Sequence, residues 1–226
     1  MRKYTDLDEV KKIAISFLYL DIKETPYSPA IIQHPIFDSG FIHTKDKILN
    51  ILDDGLDEAI EYYKEKILSI SNLDKILYTI IRKPYYLTFL KYIKNALSNE
   101  DFSRILAICW TTEETPNDDI NVPVSLAIKW FKASNKQHLM DTDEFKYFLN
   151  LPDTFIVYRG VTPGHNPNGL SWTQDLDKAK WFSNRFGNGY VREGLANKED
   201  VLAYFNRRDE EEIVISPETL QNKIIL

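Results

Sequence analysis

Apolar positions recur at helical spacing through the first two thirds of the chain and gather into short runs in the last third. Leu7, Val10, Ile13, Ala14, Phe17 and Leu18 predict a helix behind Asp6, whose carboxylate suits the N-cap position. The pattern then lapses from Glu24 to His43, where Pro26, Pro29 and Pro35 predict an irregular connection or short extended segment. It resumes with Ile48, Ile51, Leu52, Leu56, Ala59 and Ile60 and continues to Ile67, predicting a second helix. Leu73 to Leu97 reads as helix interrupted at Pro84, because proline lacks an amide donor and clashes with the preceding turn. Phe102 to Trp110 predicts another helix, followed by a polar loop over Thr111 to Asn121. Asn121 and Pro123 begin one through Phe131, and Asp141 or Thr142 caps one through Phe148.

After Pro152 the texture changes. Phe155 to Tyr158, Leu170 to Thr173, Tyr190 to Val191, Val201 to Tyr204 and Glu212 to Ile215 read as strands separated by Gly, Pro and Asn. Between them Asp175 to Phe186 predicts a helix with Leu176, Ala179, Phe182 and Phe186 on one face and Gly187 as its left-handed stop. The expected fold class is α+β: a helical N-terminal region over 1–72, packed on a small split-sheet core over 73–226 that includes its own leading helices.

A chain of 226 residues with 43% hydrophobic positions can bury a substantial core. The single Cys109 excludes an internal disulfide framework, and four scattered His give no zinc spacing, so no metal is expected and the compartment reads as reducing. The apolar stretch Ile13 to Leu20 is too short to span a bilayer and follows Asp6, Asp8 and Glu9, which predicts a soluble cytoplasmic protein with no membrane partner. A net charge of −6 argues against a protein that coats nucleic acid electrostatically, although a local basic patch stays open.

The candidate chemistry lies in three polar motifs carried on strand-like segments. Arg159 ends the run Phe155 to Tyr158 and precedes Gly160, so a planar guanidinium stands where the backbone can approach a ligand closely. The competing reading is an arginine that reaches from a strand end to pair with one of many acids. Ser171 follows the turn Asn166 to Gly169 and precedes Trp172 and Thr173. Glu210 and Glu212 lead into Ile213-Val214-Ile215; on an extended segment, residues two apart share a face, so both carboxylates are expected to aim at one site. The alternative is a solvated acidic turn.

This set, Tyr158-Arg159-Gly160, Ser171-Trp172-Thr173 and Glu210-Glu211-Glu212, resembles the arginine, serine and glutamate-x-glutamate signature of mono-ADP-ribosyltransferases of the toxin and vertebrate arginine-specific type. The resemblance covers roughly Phe155 to Pro217, and the chain as a whole is similar to small bacterial or phage-encoded members. It implies NAD as ADP-ribose donor and an intracellular macromolecule as acceptor, with protein arginine the first choice. It assigns Arg159 to an NAD phosphate, the Gly160 backbone to the nicotinamide carboxamide, and Phe182 to packing against nicotinamide. Ser171 braces the site and orients Glu212, Glu212 stabilises the oxocarbenium-like transition state, and Glu210 serves the acceptor. Phe205, Arg207 and Arg208 fall in the loop that recognises the target. Trp172 departs from the family pattern, which has a small hydroxyl residue there. That departure motivates an alternative, a degenerate module that binds NAD or a partner without turnover. Arg207 and Arg208 with Tyr204 and Phe205 motivate another, modification of nucleic acid, and plain NAD hydrolysis is a third. No Gly-x-Gly-x-x-Gly follows a strand, so a Rossmann site is not expected.

Overall fold

The computed structural model describes residues 2–185, 187–207 and 209–226. The chain divides into two compact units, Met1–Ser98 and Asn99–Leu226. In the first, α1 (Leu7–Phe17) starts at Asp6, whose carboxylate accepts from the Glu9 amide at 3.0 Å, and it buries Val10, Ala14 and Phe17. Two short antiparallel hairpins follow: β1 (Lys23–Glu24) with β2 (Ile32–Gln33), and β3 (Phe41–His43) with β4 (Ile48–Asn50). The second hairpin corrects the helix expected from Ile48. There Leu49 is buried while Ile48 is 59% exposed, an alternation of period two, and the Thr44 hydroxyl closes the connecting turn on Lys47.

Helix therefore begins only at α2 (Leu56–Ser69). It is followed by α3 (Leu73–Thr79), capped by Asn72, and α4 (Tyr86–Ile93). Pro84 sits in the tight turn Lys83–Tyr85 that separates them, the interruption expected of it. The unit boundary after Ser98 places α3 and α4 with the first unit, whereas the sequence reading attached them to the second.

The second unit opens with α5 (Asn99–Thr112), buried from Phe102 to Trp110 except at Arg104. Then come α6 (Val124–Ala133), the short α7 (Lys136–Leu139) that apolar periodicity did not reveal, and α8 (Thr142–Leu149). Asp141 and Glu144 form a reciprocal capping box at the start of α8. The strands are β5 (Thr154–Val161), β6 (Ser171–Thr173), β7 (Tyr190–Asn197), β8 (Val201–Phe205), β9 (Glu212–Ile215) and β10 (Gln221–Ile225), with α9 (Leu176–Asn184) between β6 and β7. They form one antiparallel sheet in the order β10-β7-β5-β6-β9-β8.

The sheet is continuous but nearly parts in the middle. β5 pairs with β7 along its whole length, whereas β5 and β6 meet only where Tyr158 faces Thr173. α9 packs directly on β5, because a side chain on Gly160 would overlap the Ala179 carbonyl and crowd the Ser183 amide. Gly187 has φ of +80°, the left-handed stop expected after this helix. The mixed architecture is α+β. Among the described residues no helix is long and apolar enough to cross a membrane.

Candidate functional site

One row of residues crosses the seam of the sheet. Tyr158 on β5 faces Thr173 on β6, and Thr173 faces Glu212 on β9. Directly opposed residues in an antiparallel pair share a face, so Glu212 and Thr173 lie on the same side, as does Ser171 two positions along. A cleft of about 150 Å³ opens here, lined by Arg159, Gly160, Ser171, Phe182, Glu210 and Glu212 together with residues of the 110–118 segment. Roughly 300–1,000 Å³ is usual for a drug-sized ligand. A dinucleotide would therefore have only part of its length enclosed.

Arg159 is braced by backbone. Its Nη1 donates to the Ser171 carbonyl at 2.7 Å and its Nη2 to the Asn166 carbonyl at 2.9 Å, while Nε is buried with no hydrogen-bond partner among the described residues. Burial lowers its pKa to about 10, against the raising influence of Asp118 and Glu212, so it stays cationic at neutral pH. Gly169 makes the enclosure possible, since a side chain there would run into the guanidinium and the Asn117 amide. The acid pairing offered as the competing reading for Arg159 is replaced by these carbonyl contacts.

Glu212 meets a residue that the sequence presented only as core. The indole Nε1 of Trp110, on α5, donates to Glu212 Oε1 at 2.9 Å, and Trp110 is 1% exposed. The Ser171 hydroxyl accepts from Asn117 Nδ2 at 2.9 Å. Asn117 Oδ1 also accepts from the Leu170 amide at 2.6 Å, so this side chain clamps the start of β6. Beside it Asp118 accepts the Asn166 amide on Oδ1 at 2.9 Å and contacts His165 Nδ1 through Oδ2 at 2.7 Å. Asp118 and His165 both line the cleft. At its rim Arg185 pairs with Glu114 at 3.2 Å.

Glu210 and Glu212 reach the cleft by a route other than strand alternation. Asp209 and Glu211 have φ of +56° and +49°, so the chain curls before β9 and only Glu212 belongs to the strand. The curl turns Glu211 toward Lys178, which it meets at 2.8 Å, and leaves Glu210 facing the cleft. This hydrogen bond to Glu211 is the main cause of a raised Lys178 pKa.

The expected recognition loop needs correction at Phe205. It is 1% exposed on β8, with its ring 6.3 Å from that of Phe131, so it presents nothing to an acceptor. Tyr204 is likewise buried and stacks on Tyr147 at 4.1 Å. Arg207 lies 3.8 Å from the buried Glu144, whose carboxylate also accepts the Asn206 amide at 2.9 Å. Arg208 falls outside the described residues. Trp172 is 2% exposed and donates from Nε1 to the Gly169 carbonyl at 3.1 Å, which makes it a core residue that helps shape the loop.

Trp110, Asn117, Asp118 and His165 were not singled out from sequence. The signal that could have raised two of them, Asn117 and Asp118, was the Asn and Asp content of the loop after α5, a composition suited to side-chain capture of neighbouring backbone amides. Among the described residues no group of three or more His, Cys, Asp and Glu side chains is placed to hold a metal ion. Comparison of the chain with protein-family models, curated proteins and solved structures finds no match.

Proposed function

We propose that the chain is an NAD-dependent mono-ADP-ribosyltransferase that breaks the nicotinamide–ribose bond and passes ADP-ribose to a macromolecular acceptor, protein arginine in the first instance. The observation that carries this reading is convergence. Arg159, Ser171, Glu210 and Glu212, with Gly160 and Phe182, come from four separate segments and line one cleft. In this reading the Arg159 guanidinium, held cationic, attracts the diphosphate, and Phe182 covers the nicotinamide. Glu212 sits where positive charge develops on the ribose as nicotinamide leaves with the bonding electron pair, and Glu210 faces the acceptor. The leaving group becomes neutral as it departs, so the step calls for no electrophilic help from a metal.

Nucleic acid is the weaker choice of acceptor, because the aromatic pair Tyr204 and Phe205 that would have stacked on bases is buried. The test is incubation with labelled NAD and a cell lysate, followed by protease or nuclease digestion of the labelled product. Glu212→Gln should fold and lose about 10²- to 10³-fold in nicotinamide release. Near-native turnover by a folded Glu212→Gln protein would remove the reading.

A further inference from the structure

The cleft holds a histidine–carboxylate contact for which the arginine, serine and glutamate set has no use. His165 lies on the connection between β5 and β6, and Asp118 on the loop after α5. Asp118 Oδ2 and His165 Nδ1 are 2.7 Å apart, and both side chains line the same cleft as Glu210 and Glu212. Each side chain keeps about a third of its surface exposed, 33% for His165 and 30% for Asp118, so solutes in the cleft can reach them.

The pair is rigidly mounted. Asp118 Oδ1 accepts the Asn166 amide, the Asn166 side chain donates to the Asn117 carbonyl, and the Asn166 carbonyl accepts from Arg159. A carboxylate bonded to Nδ1 places the neutral imidazole's proton on that nitrogen and makes Nε2 the basic one. An imidazole oriented by a carboxylate, beside a cleft, is the arrangement that takes a proton from a nucleophile.

We propose that His165, oriented by Asp118, is the general base that accepts the proton of the acceptor nucleophile. The inference rests on the reading of the cleft as an NAD site. The step balances. The acceptor N–H or O–H attacks the anomeric carbon of the nicotinamide ribose, the bond to nicotinamide breaks with its electron pair neutralising the pyridinium, and the acceptor proton passes to His165 Nε2 and then to water. Glu212 keeps its role against ribose charge, and Glu210 orients the acceptor.

The experiment uses the full chain, labelled NAD and lysate macromolecules as acceptor, with NAD affinity measured by calorimetry alongside. His165→Ala should lower label transfer by about 10²- to 10⁴-fold while NAD affinity stays within a few-fold, and added imidazole should restore part of the loss. Asp118→Asn separates base chemistry from loop bracing. The Asn carbonyl still accepts the Asn166 amide, but its NH₂ now donates to Nδ1, which forces the ring proton onto Nε2 and removes the base. It should therefore lose transfer with the fold and NAD affinity retained. His165→Ala within about threefold of the parent overturns the proposal. So does a loss that imidazole does not restore and Asp118→Asn does not reproduce, which would make His165 a brace for its loop. If the unaltered protein neither binds nor cleaves NAD, the underlying reading fails and takes the proposal with it, a result distinguishable because it appears before any substitution is made.

Discussion

Replacing Trp110 with Phe removes one hydrogen-bond donor from the cleft and little else that faces it. Trp110 Nε1 lies 2.9 Å from Glu212 Oε1, and its ring packs edge-on against Phe131 with centroids 5.1 Å apart, a contact phenylalanine can largely keep. A hydrogen bond to a charged group contributes about 1.5–3 kcal/mol. If that bond fixes the carboxylate where ribose charge develops, its loss appears in the barrier, and at 1.36 kcal/mol per decade the rate of nicotinamide release should fall about 10- to 150-fold. The fall belongs in kcat, since the bond positions Glu212 and does not itself grip the dinucleotide. Part of the indole's volume is also lost from a buried site, so the melting temperature should drop by several degrees, with a cost of roughly 1–3 kcal/mol. The assay is steady-state nicotinamide release, with thermal unfolding as the control, repeated in a Glu212→Gln background. There Trp110→Phe should cost little further activity, because the carboxylate it positions is gone. Equal and additive losses in both backgrounds would show that the indole does not act through Glu212.

Arg159→Lys keeps the charge but cannot span the Ser171 and Asn166 carbonyls together, so both NAD affinity and the order of the 163–169 loop should fall; unchanged calorimetric affinity with native thermal stability would refute this. Glu210→Gln should suppress transfer while slow NAD hydrolysis persists, and equal loss of the two would mean that the glutamates do not divide the work as described. Lys136 packs over the Phe148 ring and donates to the Leu202 carbonyl, and burial lowers its pKa to about 8. Since the folded value lies below the ordinary lysine value of 10.5, folding is opposed by this charge below about pH 8 and that opposition fades as pH rises from 8 toward 10.5. Amine acylation followed by mass spectrometry should find Lys136 more reactive at pH 8 than the exposed lysines, and a reactivity midpoint no lower than theirs would contradict the assigned environment.

What could be read from sequence depended on whether local chemistry or tertiary pairing decided the outcome. Asp6, Asn72, Asp141 and Asp175 cap helices as their side chains predispose them to, and Pro84 breaks the helical run where it stands. Ile48 to Leu52 misled because apolar spacing of three and four also fits a strand followed by a turn, and cross-strand pairing with Phe41 to His43 decided between them. β7 runs on through Arg192, Glu193 and Gly194, which hide it from an apolar scan, and β10 is exposed at every position and carries no burial signal at all. In the cleft, the residues that a strand or its end delivers were visible: Arg159, Ser171 and Glu212. Those delivered by the loop after α5 were not, because nothing in a linear reading tells Asn117 and Asp118 that they will meet Ser171 and His165 across about fifty positions of chain.

The curl before β9 ties these observations together. Left-handed backbone at a residue other than glycine costs about 1–2 kcal/mol, and this turn places Asp209 and Glu211 there within three positions. Strain of that kind persists only where the surroundings hold it, and here the restraints can be named. Asn206 accepts the Glu211 amide on its side chain and the Asp209 amide on its carbonyl, Glu144 accepts the Asn206 amide, and Lys178 on α9 holds the Glu211 carboxylate. A regular strand through 209–212 would put Glu210 and Glu212 on one face by alternation alone and would need none of these contacts. The curled form instead spends Glu211 on an ion pair and brings Glu210 to the cleft from outside the sheet, on a different backbone mounting from the carboxylate fixed in β9. Two carboxylates with different mountings suit different tasks. The rigid one, seated on a strand and bonded to a buried indole, fits electrostatic stabilisation of a fixed ribose. The one on the turn fits an acceptor that arrives from solution and must be accommodated before it reacts.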